Sequence, residues 1–160
     1  KELDLFVKQR YIAVSRIIGG STANDLGHIF ESYIFNKLKS LLSPHCEIGG
    51  HSIPSVTHND TNLITFDLVV KNIKTNVYVG IEISFQVTTN SVIERKAGLA
   101  KSRHDLMRSA GNKVAYIIDG SGNFQRKNAI QTILKFSDCS VNFSESGLIK
   151  IANFIESSTQ

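Results

Sequence analysis

The sequence predicts an α/β sandwich, a mixed sheet of about four to five strands between layers of helices. Two observations carry that expectation. Helix-spaced and strand-spaced apolar segments alternate along the chain, which is the pattern of a sheet covered by helices. At 160 residues the chain is long enough to bury one core without disulfide or metal staples. The apolar fraction of 41% and the charged fraction of 20% are those of an ordinary globule.

The elements follow in order. Residues 1–18 read as an amphipathic helix closed by Gly19-Gly20, and 21–25 offer cap residues for a long helix over 26–42 that stops before Pro44. The stretch 43–62 is rich in Ser, His, Pro, Gly and Asn and reads as loop with one short strand at 46–48. Two strands, 63–72 and 77–87, are joined by a turn at 73–76. A helix over 91–110 is capped by Asn90 or Ser91 and ended by Gly111. A buried-type strand (113–119), a helix (125–136), a short strand (140–143) and a last helix (147–156) complete the layout. The expectation is a single domain over 1–160, with a core over 21–160 behind the N-terminal helix and linker; because the chain opens on Lys1, it reads as part of a longer one.

Composition narrows the function classes. Cys46 and Cys139 match no metal or redox spacing, so reduced thiols in a cytoplasmic protein are expected. No apolar run approaches the roughly 20 residues of a membrane span, and no signal peptide opens the chain. A net charge of +4 favours a polyanionic partner.

The strand 77–87 carries the chemistry. Val77, Val79, Ile81, Ile83 and Phe85 share one face, and Tyr78, Gly80, Glu82, Ser84 and Gln86 share the other. Pairing about the 73–76 turn sets Asp67 approximately opposite Glu82. Two carboxylates so placed on one face lie roughly 5 Å apart at Cβ, which is unfavourable without a cation between them. Either they are solvated on an open face or they hold a divalent ion through oxygen. The next helix favours the second reading: Val92, Ile93, Leu99, Ala100, Leu106, Met107 and Ala110 form its apolar stripe, with Lys96 and Arg103 in the middle. Buried cations need partners, and the nearest acids are those just upstream. In the 26–42 helix, Glu31 projects from a broad apolar arc, so either it has a partner or the helix departs from ideal spacing there.

A glutamate in a first helix, an aspartate in one strand and a glutamate in the next, before a basic helix, resemble the PD-(D/E)xK nuclease superfamily, which includes the type II restriction endonucleases. The resemblance runs from about residue 22 to 156 and implies a restriction-endonuclease-like three-layer sandwich with an αβββαβ core. Residue by residue, Asp67 matches the motif aspartate, Glu82 the second acid and Glu31 the first-helix glutamate. Phe66 replaces the proline before the aspartate, and Ser84 stands in the lysine slot. Lys96 is then the expected substitute for the displaced lysine, with Gln86 second. The implied function is Mg²⁺-dependent hydrolysis of DNA phosphodiesters, with Mn²⁺ as a substitute ion, Asp67 and Glu82 as metal ligands, and Glu31 and Lys96 also catalytic. Gln86, Asn90, Arg103, Arg126 and Lys127 are the expected DNA contacts, double-stranded DNA the partner, a homodimer the assembly, and a prokaryotic cytoplasm the setting. A Holliday-junction resolvase-like repair nuclease and a non-catalytic DNA-binding domain are the alternatives. The Gly-rich turn at 119–123 lacks phosphate-loop spacing and reads as a plain turn; His45, His51 and His58 share one loop without tight metal spacing and read as exposed loop residues, with DNA contact or zinc binding as the alternatives.

Overall fold

A computed structural model describes residues 23–58, 62–86 and 91–158. In chain order these form α1 (Ala23–Leu41), β1 (Cys46–Ile48), β2 (Ser52–His58), β3 (Asn62–Thr65), β4 (Leu68–Asn72), β5 (Tyr78–Phe85) and α2 (Val92–Ser109). Then come β6 (Lys113–Asp119), a single turn α3 (Ser121–Phe124), α4 (Lys127–Lys135), β7 (Cys139–Val141) and α5 (Glu145–Ser158). The helix expected over 1–18 and the Asn90 cap lie outside the described residues. No described helix is long and apolar enough to cross a membrane.

The main sheet has five strands in the order β1-β4-β5-β6-β7. β1, β4 and β5 pair antiparallel, and β6 and β7 add in parallel, so the sheet is mixed as expected. The parallel pairings require crossovers, which α2 and the α3–α4 segment supply. Alternation along the strands sorts the core into two sides. Leu68, Val70, Val79, Ile81, Ile83, Ala115 and Ile117 pack with Ile34 and Leu38 of α1 and with Leu148, Ile151, Ala152 and Ile155 of α5. On the other side Val69, Val114, Tyr116 and Ile118 meet Ile93, Ala97, Ala100 and Met107 of α2 and Ala129 and Ile133 of α4. Three layers result, with helices on both faces of one sheet.

Three local features differ from the expectation. The run 63–72 is two strands: β3 ends at Thr65, and β4 begins at Leu68. β3 leaves the main sheet to pair with β2 in a two-stranded ribbon, whose Ile53, Val56 and Ile64 join the α2 side of the core. β2 falls in the stretch read as loop, because Pro54 and the polar residues around it hide its alternation. The third difference lies at 119–123, where a helical turn replaces a plain turn; Gly120, at φ 98°, sits so close to the Gln86 carbonyl that a Cβ has no room. The break at Phe66–Asp67 matters most, since it places Asp67 between ribbon and sheet.

Candidate active site

The β4–β5 register delivers the acids. Leu68 pairs with Ile81 and Val69 with Gly80, so continuing the same register brings Asp67 beside Glu82, as the turn arithmetic expects. Asp67 is tied in place by the Ile83 backbone N–H, which donates to its Oδ2 at 2.6 Å. Glu82 is 4% exposed, so its charge has to be balanced inside the protein.

α2 supplies the balance. Lys96 Nζ donates to Asp67 Oδ2 at 2.5 Å and also pairs with Glu82 Oε2. Arg103, two helical turns on, forms an ion pair with Glu82 Oε1. Both Glu82 oxygens therefore have cationic partners, and Lys96 bridges the two acids. The expected stripe on α2 is rotated: Ala97 is buried, whereas Leu99 and Ala110 are exposed. Small Ala97 and Ala100 pack the helix onto the sheet, which leaves Lys96 and Arg103 on the flank of the stripe rather than its middle. From the flank their heads reach sideways to the acids. His104 turns inward near Phe136 and Asp138.

Arg103 lies over the Phe66 ring, 5.2 Å from its centroid. Phe66 needs Gly80 beneath it: a Cβ there would meet the ring at 2.7 Å. Phe66 is thus the platform for the arginine. Burial lowers the Arg103 pKa, with Tyr116 and Asp67 opposing that shift. The Tyr116 hydroxyl shares this pocket; burial pushes it up to about 12, and it has no hydrogen-bond partner among the described residues.

Ser84 is engaged elsewhere. Fully buried Asn123 donates through Nδ2 to the Ser84 carbonyl at 2.9 Å, to its Oγ at 3.1 Å and to the Asp119 carbonyl at 2.8 Å. Ser84 and Asn123 thus clamp β5 to the α3 turn. Gln86, on the same face, keeps its Oε1 buried without a partner among the described residues.

Asp67 is the most open member of the cluster. Its side chain is 27% exposed, against 13% for Lys96, 18% for Arg103 and 5% for Glu82. It opens into a cleft of about 270 Å³ shared with Glu31, Ser32, Phe35, Asn36, His51, Leu68 and Ile83. Glu31 therefore comes to the same cleft as Asp67. Arg126 pairs at the surface with Glu94 at 2.9 Å, and with Lys127 it lines a separate depression between α2 and α4. The structure thus unites Glu31, Asp67, Glu82, Lys96 and Arg103, while Arg126 and Lys127 lie apart and Asn90 is outside the described residues. Of the three loop histidines, His51 enters the cleft beside Asp67, where the β2–β3 ribbon carries it.

The donor set fits a hard divalent ion. Two carboxylates, Glu82 on β5 and Asp67 just before β4, already converge on one cationic atom, Lys96 Nζ, so they aim oxygen donors at a common point. Mg²⁺ is held by such a pair with water completing its shell. Among the described residues no group of three or more His, Cys, Asp or Glu side chains is placed to hold a metal ion, so the two carboxylates are the protein's whole acidic donor set here.

Fold and cluster together define a three-layer α/β domain with an acid–cation site at the junction of sheet, ribbon and α2. The chain belongs to the family described as the BanI C-terminal domain, whose model matches residues 1–159. It is 51% identical over 161 residues to the type II restriction enzyme BanI of Aneurinibacillus aneurinilyticus, covering 96% of this chain and 44% of that protein. It is 40% identical over 154 residues to the type II restriction enzyme HgiCI of Herpetosiphon aurantiacus, covering 94% of this chain and again 44% of the relative. The chain therefore spans less than half the length of these curated relatives. No solved structure matches it significantly.

Proposed function

We propose that this chain carries the catalytic centre of a Mg²⁺-dependent endonuclease of restriction type that hydrolyses phosphodiesters of double-stranded DNA, with the PD-(D/E)xK arrangement and a lysine supplied from α2. The observation that carries this reading is the single nitrogen of Lys96 lying between Asp67 and Glu82. The relatives, both type II restriction enzymes, support the restriction class.

Each residue has a task in that reaction. Asp67 and Glu82 present one oxygen each to the metal position. When bound, Mg²⁺ supplies Lewis-acid activation of water and phosphate. Lys96 offers its N–H groups to the attacking water and to the charge that gathers on phosphate oxygen as the P–O bond breaks. Arg103 holds Glu82 Oε1, which leaves Oε2 directed at Asp67 and Lys96. Glu31 orients water from the far wall of the cleft, and Gln86 is a second polar group on the Glu82 face. Cutting both strands of a duplex calls for two such centres, which a homodimer provides.

The test uses the full-length protein with plasmid and linear duplex substrates and Mg²⁺, beside Glu82→Gln and Lys96→Met. Discrete fragments from the wild type, lost in both variants, are expected. Wild-type protein that binds duplex DNA and leaves it uncut with both Mg²⁺ and Mn²⁺ would refute catalysis and make this a binding domain.

A further inference from the structure

We propose that His51 is a substrate-binding residue whose Nε2 donates to a phosphate oxygen of the DNA strand lying in the cleft beside Asp67. The inference deepens the nuclease reading and rests on it.

The route to the site comes first. Glu82, Lys96 and Arg103 are covered on the α2 side, and Asp67 is the member whose side chain opens outward. A phosphate can therefore approach the cluster through the cleft that Asp67 shares with Glu31, Ser32, Asn36 and His51. The charges lining this cleft, Glu31 and Asp67, are both negative, which opposes an anionic strand. Of the cleft's lining residues, His51 alone can take up a positive charge.

Next comes the ring. His51 is held at the mouth of the ribbon by its backbone, where the Phe66 N–H donates to the His51 carbonyl at 2.7 Å. Its Nδ1 lies 3.2 Å from the Phe66 carbonyl oxygen. A carbonyl oxygen only accepts, so Nδ1 carries the hydrogen and donates. That bond fixes the ring's rotation and leaves Nε2 as the free nitrogen. With its proton added, His51 offers Nε2–H to a phosphate oxygen while Nδ1–H stays on Phe66. The residue that anchors the ring is the neighbour of Asp67, so substrate contact and motif aspartate share one support.

The two nitrogens make the inference testable, because Asn places a donor near the Nδ1 position and Gln near the Nε2 position. The full-length protein and its His51→Ala, His51→Asn and His51→Gln variants are titrated with cognate duplex DNA in Ca²⁺ by fluorescence anisotropy, and kcat and KM are read in Mg²⁺. Ala and Asn are expected to weaken binding about tenfold, the loss of one charge-assisted hydrogen bond, while Gln retains part of the affinity. Melting temperatures of the variants should stay close to wild type. The opposite order, with Asn like wild type and Gln like Ala, would mean that His51 only props Phe66 and would overturn the assignment. So would three variants that bind DNA as the wild type does. A wild type that binds but never cuts, with the His51 pattern intact, would sink the nuclease reading and leave this contact standing.

Discussion

Replacing Lys96 with Met keeps the length of the stem and removes the charge that separates two carboxylates. Asp67 Oδ2 and Glu82 Oε2 both pair with the same Nζ, so the two carboxylates stand roughly 5 Å apart. At an effective dielectric of about 20, two unit charges at that distance repel by about 3 kcal/mol. Arg103 remains on Glu82 Oε1 and offsets part of this, leaving a net destabilisation of about 2 kcal/mol. For a domain of this size that lowers Tm by about 4–8 °C. Removing one of the acids as well should reverse the loss, so Glu82→Gln/Lys96→Met is expected to melt above Lys96→Met alone. Mg²⁺ should also raise the Tm of Lys96→Met more than that of wild type, because the ion no longer competes with the ammonium; at about ten times Kd the contribution is about 1.4 kcal/mol. Differential scanning calorimetry of the three proteins, with and without Mg²⁺, reads each of these. Lys96→Met with wild-type Tm, and a double variant no more stable than the single, would refute the view that Lys96 holds the two acids together.

Four further outcomes follow from single contacts. Gly80→Ala drives a methyl into the Phe66 ring and should cost about 1–3 kcal/mol in urea unfolding, with loss of cleavage as the Arg103 platform shifts. Asn123→Ala removes the side-chain donor to the Ser84 and Asp119 carbonyls, the second of which keeps the Gln86 N–H, and is expected to cost about 1–3 kcal/mol, measured in the same way. Tyr116→Phe removes a hydroxyl that has no hydrogen-bond partner among the described residues, so its Tm should equal or exceed that of wild type; a clear drop would reveal an unseen partner. Glu156 accepts from the Ser43 backbone N–H, and that bond is the chief reason its pKa falls below the usual carboxylate value. A depressed folded pKa contributes stability above the unfolded pKa and loses it as pH falls through the folded one. Glu156→Gln should therefore be less stable than wild type near pH 7, with the gap closing in acid.

Alternation within β5 is a local property, so the sequence alone resolved which residues of that strand share a face with Glu82. The tight turn at 73–76 likewise set the register that brings Asp67 beside it, because a hairpin's pairing is determined by its turn. The partner needs of Lys96 and Arg103 were legible too, since buried charges on a helix require acids. Other features depended on contacts distant in sequence. The split between β3 and β4 at Asp67 arises because β2 draws β3 out of the sheet, and nothing within 63–72 announces that pull. The same pairing sets His51 against Phe66, across 15 residues of chain. Ser84 looked like a missing lysine until Asn123, 39 residues away, closed on it. The sequence determined the layers, the acids and the helix that balances them, through periodicities that need only neighbouring residues. Tertiary structure decided which side of the cluster opens and which histidine stands there, because those follow from strand pairing and packing across the chain.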